Sequence, residues 1–243
     1  MPIRIEVLPF ILASIAFGVV FGLVSVLCGV RRRRAAGWGL FWTLFFGGYF
    51  LYFFRDPQRT PPPDPAAIVA AADGRIAAVT ELEERAFASA ARKAGVRPED
   101  LPEFNEGCAI RISIFLSLFD VHVNRAPISG ESSFLGYFPG KHYFTFQDKS
   151  SEYNQHNSIL MRNQATACLI NQIVGPVCRR VVYWPDRTRP VRLNVGDRIG
   201  MMKFGSRLDM YLPAADVEII CRPGDRVTAG ETIVAKMRDP EKI

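Results

Sequence analysis

Residues 193–207 read Leu193-Asn194-Val195-Gly196-Asp197-Arg198-Ile199-Gly200-Met201-Met202-Lys203-Phe204-Gly205-Ser206-Arg207. A Gly-Asp pair between short apolar runs is turn chemistry, because glycine accepts positive φ and aspartate hydrogen-bonds to nearby backbone. The pattern returns at Cys221-Arg222-Pro223-Gly224-Asp225-Arg226-Val227-Thr228-Ala229-Gly230. Two like hairpin turns are therefore predicted near the C-terminus. Gly205-Ser206 alone is one more turn signal, but it is also a bond at which a chain can cut itself. A strained turn can push the Ser206 hydroxyl onto the Gly205 carbonyl, exchanging the amide for an ester, and elimination from that ester then breaks the chain. What is left of Ser206 is an N-terminal pyruvoyl group, a ketone able to form a Schiff base with an amine.

Working outward, apolar and polar residues largely alternate from Cys108 to Leu118, with Ile110, Ile112 and Ile114 on one face. That period of two predicts a half-buried strand, which leads into Asp120 and His122. Further short strands are predicted around 132–138, 158–162, 165–174 and 180–184. Ile68 to Ala72 reads as a strand, Asp73-Gly74 as its turn and Arg75 to Thr80 as the returning strand. Glu81 to Gly95, rich in alanine, glutamate and arginine, predicts a surface helix ended by Gly95. Many short strands with few helices give a mostly β domain of the α+β class.

The N-terminal part is different. No charge occurs from Val7 to Val30 or from Ala35 to Phe54. Each run is long enough as a helix to cross about 30 Å of hydrocarbon, which predicts a membrane-associated hydrophobic helical hairpin over 1–54. Arg31 to Arg34 between the runs belong at a polar interface, and Trp38, Trp42, Tyr49 and Tyr52 suit an interfacial belt. The Pro-rich segment 55–65 is a stiff linker to a catalytic domain over 66–243. If both helices cross, the positive-inside rule puts that domain outside; a hairpin dipping into one leaflet puts it on the cytoplasmic side.

The 243-residue chain has a formal net charge of +6, of which residues 1–54 hold four through Arg4 and Arg31 to Arg34 against Glu6. The excess suits anionic lipid head groups, and no basic run interleaved with stacking aromatics points to nucleic acid. Cys28, Cys108, Cys168, Cys178 and Cys221 are odd in number and form no CxxC pair, so they read as reduced thiols of a cytosol-facing protein. His122, His142 and His156 have no metal-binding spacing, and no Gly-rich nucleotide loop occurs. The sequence thus predicts neither metal nor nucleotide.

Phe204-Gly205-Ser206-Arg207 resembles the processing site of the phosphatidylserine decarboxylases, specifically their short bacterial branch. The resemblance extends to Ala72-Asp73-Gly74-Arg75, to Phe119-Asp120-Val121-His122-Val123-Asn124-Arg125-Ala126-Pro127, to Pro139-Gly140-Lys141 and to Gly196-Asp197-Arg198-Ile199-Gly200. It implies a β-sandwich core related to biotinyl and lipoyl domains, with Gly205-Ser206 on a hairpin tip. It implies autocatalytic serinolysis into residues 1–205 (β chain) and 206–243 (α chain), with Ser206 converted to the pyruvoyl cofactor. The activity implied is decarboxylation of phosphatidylserine to phosphatidylethanolamine and carbon dioxide at the inner membrane, with the catalytic domain on its cytoplasmic face. Partners implied are phosphatidylserine, membrane lipid and the two chains of one precursor, with homo-oligomerisation left open. In the family an aspartate, a histidine and the cleavage-site serine form a charge relay, which falls here on Asp73, His122 and Ser206. Longer members have a second histidine three residues after the first; this chain has Arg125, so Asp120 is a further candidate to share the proton transfers. His156 sits in the polar run Asn154-Gln155-His156-Asn157, and Arg55, Arg59 and Lys141 are basic residues available to lipid phosphate. A rival reading is a membrane-anchored biotinyl/lipoyl-like carrier modified at Lys203, since Met202-Lys203 resembles the acylated Met-Lys of such domains.

Overall fold

The computed structural model describes residues 2–93, 96–104, 108–145, 149–176, 180–203 and 206–238. Two compact units divide the chain, residues 1–58 and residues 59–243.

The first unit is a pair of helices, α1 (Leu8–Leu27) and α2 (Arg32–Phe53). They turn at Cys28-Gly29, where Gly29 has φ 84°. The arginines predicted to form the connection instead occupy Arg31 at the N-cap and the first turn of α2. Contact between the helices is tightest where two glycines meet: a Cβ on Gly39 would stand 2.6 Å from the Gly18 carbonyl oxygen. Thr43 Oγ1 donates to the Gly39 carbonyl one turn back in its own helix at 3.0 Å and lies 3.4 Å from the Ser14 carbonyl oxygen across the crossing. Among the described residues one helix, Ile5–Leu27, is long and apolar enough to cross a membrane. The other helix, α2, opens with three arginines and is not counted by that measure.

The second unit is mostly β. Its strands are β1 (Ala67–Val69), β2 (Gly74–Leu82), β3 (Ala109–Leu116), β4 (Val123–Arg125), β5 (Gly130–Phe138), β6 (His156–Arg162), β7 (Ala167–Val174), β8 (Arg180–Tyr183), β9 (Val191–Leu193), β10 (Arg198–Lys203), β11 (Ser206–Pro213), β12 (Val217–Ile219), β13 (Arg226–Val227) and β14 (Ile233–Met237). Two short helices accompany them, α3 (Glu84–Lys93) and α4 (Lys149–Tyr153). The predicted helix end at Gly95 lies outside the described residues.

An eight-stranded antiparallel sheet runs in the order β13-β2-β3-β11-β7-β6-β5-β9, and two three-stranded sheets, β4-β10-β8 and β1-β14-β12, complete the domain. The predicted alternation of β3 holds: Ile112, Ile114 and Leu116 enter one large core with Leu208, Met210 and Leu212 of β11 and Ile199 and Met202 of β10. The other face of the large sheet is covered near α3, where Phe87, Leu101 and Phe104 pack with Tyr211. Both faces of the central strands are thereby buried, and every residue of β7 is buried.

The predicted turns form, but not as hairpins. Asp197 Oδ2 accepts from Asn194 N at 2.8 Å, and Asp225 Oδ2 from Arg222 N at 2.7 Å. The preceding glycines take φ 82° at Gly196 and 97° at Gly224. Yet β9 and β10 belong to different sheets, as do β12 and β13, and β1 and β2 around Asp73-Gly74. Each turn also clamps a distant strand: Ala126 N donates to Asp197 O at 2.8 Å and Ile76 N to Asp225 O at 2.9 Å. The hairpin tip expected at 205–206 is likewise corrected, since β10 pairs with β4 and β8 while β11 pairs with β3 and β7. The chain changes sheets between Lys203 and Ser206.

Candidate active site

Three of the quoted segments meet at that crossing. The backbone from Val123 to Arg125 is β4, in register with β10 so that Val123 faces Met201 and Asn124 faces Gly200. One step further, Met202 N donates to the His122 carbonyl at 3.1 Å, which fixes His122 beside the strand that leads to Ser206. On the other side Arg125 N donates to Ala71 O at 2.9 Å, tying the same segment to the residues before Asp73. The main chain of Ser206 is paired between Leu116 and Val174 at the start of β11. Phe115 is flanked by Arg75 on one side and Arg207 on the other, so β2 and β11 begin at the same end of the sheet. A Cβ at Gly74 would collide with the Phe115 carbonyl, and its φ of 146° is one that side chains disfavour. Only glycine lets β2 start this close to β3.

His122 is fully buried, and its Nδ1 lies 2.9 Å from the Asp120 carbonyl oxygen. A carbonyl can only accept, so Nδ1 carries the hydrogen and the basic lone pair is on Nε2. Asp120 is held in turn: its Oδ2 accepts from Ser117 N at 2.8 Å and Ser117 Oγ at 2.6 Å, and its Oδ1 from Arg226 Nη2 at 3.1 Å. Asp120 thus contributes a fixed carbonyl to the ring, with its carboxylate committed to the turn.

Asp73 is placed by different partners. Its Oδ1 accepts from Ala229 N at 2.8 Å and its Oδ2 from Arg59 Nη2 at 2.8 Å. Arg59 Nη1 also reaches Glu231 Oε2 at 3.1 Å, so this arginine is engaged within the domain and not reserved for lipid phosphate. Gly205 lies outside the described residues. Arg125 is buried and donates from Nη1 to the Gly196 carbonyl at 2.8 Å, acting as a strut across the Gly-Asp turn. His156 pairs with Ile173, in the same cross-strand row as Arg207, one residue off the row of Val174 and Ser206. Alternation along the strands therefore puts His156 on the face of the sheet opposite the large core. His142 lies 3.3 Å from Gln155 Oε1 through Nε2 and is half-buried. Lys203 is buried at the end of β10, opposite Arg180, which is no position for an acylated carrier lysine. Cys168 and Cys221 are buried, and burial pushes their thiols up, that of Cys221 to about 11. No group of metal-ligating side chains occurs among the described residues.

Comparisons with known proteins give the family. Residues 46–235 match the sequence profile of phosphatidylserine decarboxylase. The chain belongs to the phosphatidylserine decarboxylase family. Relatives named phosphatidylserine decarboxylase proenzyme include that of Symbiobacterium thermophilum, 38% identical over 171 residues covering 70% of this chain and 70% of that protein. That of Erythrobacter litoralis is 41% identical over 175 residues, 70% of this chain and 66% of the relative. That of Salinibacter ruber is 40% identical over 175 residues, 72% of this chain and 68% of the relative. Among the described residues, segments 72–75, 119–127 and 196–200 of the phosphatidylserine decarboxylase resemblance are tied together by the Arg125–Ala71 and Ala126–Asp197 hydrogen bonds and the pairing of β4 with β10. Sequence reasoning missed the side chains of Gln172 and Asn157, which join β7 and β6 to Asn124 of β4, because nothing local to β6 or β7 signals that link.

Proposed function

We propose that the chain cuts itself between Gly205 and Ser206, converts Ser206 to a pyruvoyl group and decarboxylates phosphatidylserine at a membrane surface. The observation that carries this reading is the change of sheet between Lys203 and Ser206, with the His122 carbonyl bound to Met202 N just before it. Strands on both sides belong to separate sheets, which fixes the two ends of the segment that an amide-to-ester exchange would open. His122 is the base: its Nδ1 is held by Asp120 O, which leaves Nε2 to take the Ser206 hydroxyl proton. Asp73 takes part from the turn where β2 begins, its carboxylate fixed by Arg59 and the Ala229 amide, since His122 Nδ1 is already given to Asp120 O.

The residues suit a group made from the chain itself, since residue 206 begins a strand paired on both sides and would stay anchored after the cut. Once formed, a pyruvoyl group supplies a ketone that condenses with the substrate amine and accepts the electrons left by departing carbon dioxide. His122 then holds or returns a proton from Nε2. The fragments 1–205 and 206–243 remain associated through the pairing of β11 with β3 and β7. The first unit brings the site to the lipid.

Intact-mass spectrometry under reducing, denaturing conditions, with a hydrazide added to a second aliquot, tests the reading. Two chains cut before residue 206, the smaller taking up the hydrazide, support it; a single full-length chain refutes it. Ser206→Ala is expected to give one uncut chain without decarboxylase activity.

A further inference from the structure

The candidate aspartate is gripped by residues from both sides of the proposed cut. Its two carboxylate oxygens accept from groups outside its own turn, Oδ1 from Ala229 N and Oδ2 from Arg59 Nη2, each at 2.8 Å. Arg59 is itself forked: Nη1 donates to Glu231 Oε2 at 3.1 Å, and Glu231 Oε1 accepts from Thr60 N at 3.1 Å. One guanidinium thus stands between two carboxylates, with side-chain exposures of 15% for Arg59, 13% for Asp73 and 36% for Glu231. The turn that supplies Ala229 and Glu231 is closed on itself and pinned to the residues before Asp73. Thr228 N donates to Thr232 Oγ1 at 2.9 Å and Thr232 N to Thr228 O at 3.0 Å, while Gly230 N donates to Ala70 O at 2.9 Å and Ala70 N to Thr232 O at 2.8 Å. Residues 59–60, 70–73 and 228–232 interlock.

An aspartate that only shapes an Asp-Gly turn closes on nearby backbone and needs no arginine. Nor does fastening residues 59–60 need Asp73, since Arg59 and Thr60 both reach Glu231. What the shared guanidinium adds is a fixed direction for the Asp73 carboxylate, because a planar fork bonds along set lines and an ammonium does not. It also separates two like charges, which repel once the cation between them is gone. Resting on the reading of Asp73 given above, we propose that Arg59 is a positioning residue of the reaction, oriented by Glu231 and acting through the Asp73 carboxylate. Arg59 and Asp73 belong to residues 1–205, whereas Ala229 and Glu231 belong to 206–243. The clamp therefore spans the cut, and it holds the carboxylate after self-cleavage as before it. In this role Arg59 touches no reacting atom, and its whole effect on rate passes through Asp73.

The test is the rate of self-cleavage during cell-free synthesis of the full chain in detergent, followed by intact mass. Partners that hold a functional group in place cost about 10–100-fold when removed. Arg59→Ala is expected to slow cutting by that factor, and Arg59→Lys, which returns the charge without the fork, by less. Glu231→Gln, which leaves the guanidinium on Asp73, should also slow cutting less than Arg59→Ala. Asp73→Asn supplies the decisive background: effects that pass through one group do not add, so Arg59→Ala placed on Asp73→Asn should change its rate by about twofold at most. An arginine with a merely structural role would slow both backgrounds by the same factor, and that result overturns the proposal, as does Arg59→Ala cutting at the unaltered rate. Where Arg59→Ala fails to fold, Arg59→Lys in the two backgrounds gives the same comparison. Asp73→Asn cutting at the unaltered rate removes Asp73 from the reaction and overturns the proposal while self-cleavage stands. An unaltered chain that stays uncut, as Ser206→Ala does, takes down the self-cleavage reading and this proposal with it.

Discussion

Arg207 directly follows the proposed scissile bond and is among the largest fully buried side chains of the protein. Its Nε donates to Asp209 Oδ1 at 2.9 Å and its Nη2 to Ser113 Oγ at 2.7 Å. Removing one member of a buried ion pair leaves the other charge desolvated, at a cost of about 3–5 kcal/mol. Arg207→Met is therefore expected to destabilise by that amount in chemical denaturation, and Arg207→Met with Asp209→Leu to recover most of it. Equal losses in the single and double variants would show that the pair is not the cause. The sequence displayed Arg207 only as part of a processing motif, because its partner Ser113 lies far along the chain. Thiol chemistry gives a second prediction at this scale. The Cys221 thiol, raised by burial to about 11, is nucleophilic only as its thiolate, about one molecule in a thousand at pH 8. Its alkylation should rise about tenfold per pH unit up to that value, while exposed Cys28 labels first and buried Cys168 resists until unfolding. Early labelling of Cys168 in native protein would contradict the packing described.

At the scale of elements, turns were legible and their partners were not. Asp197 and Asp225 could be read as turn residues because their hydrogen bonds close within three residues. Which sheet each flanking strand joins is decided by contacts such as Ala126 with Asp197 and Ile76 with Asp225, remote in sequence. Four predicted hairpins became four crossings between sheets for that reason. The same limit governs the site: His122 and Ser206 were visible as motif residues, whereas the holding of the Asp73 carboxylate by Ala229 is set by contacts remote in sequence. Gly74 sits where a crossing meets the site, and Gly74→Ala introduces a collision with Phe115 O at a disfavoured φ. A non-glycine residue held there costs about 1–3 kcal/mol before any backbone shift. The expected outcome is a lower melting midpoint together with slower self-cleavage, since β2 and Asp73 must move. Unchanged cleavage in a destabilised Gly74→Ala would show that Asp73 has no part in the reaction.

The whole molecule joins a hydrophobic helical pair to a β domain that has its own two apolar clusters. Within the helical unit many large side chains face outward, among them Leu12, Leu23, Leu27, Leu40 and Leu44. Burying each such side chain is worth about 1.5–3 kcal/mol, so five give a strong drive toward lipid, to which Arg31 to Arg34 add attraction for anionic head groups. The residues gathered at the candidate site all come from 59–243, so neither that domain's core nor its self-cleavage should depend on the helices. A chain shortened to residues 59–243 is expected to be soluble, to cut itself between 205 and 206 as the full chain does, and to stay in the supernatant when anionic phospholipid vesicles are sedimented. The full chain should pellet with the same vesicles and resist extraction by high salt, because hydrocarbon burial is not screened. Vesicle binding by the shortened chain that salt abolishes would place a second, electrostatic membrane contact on the β domain. Failure of the shortened chain to fold would mean that the helices complete the domain's core, and the division at residue 58 would then not be a boundary between independent folding units.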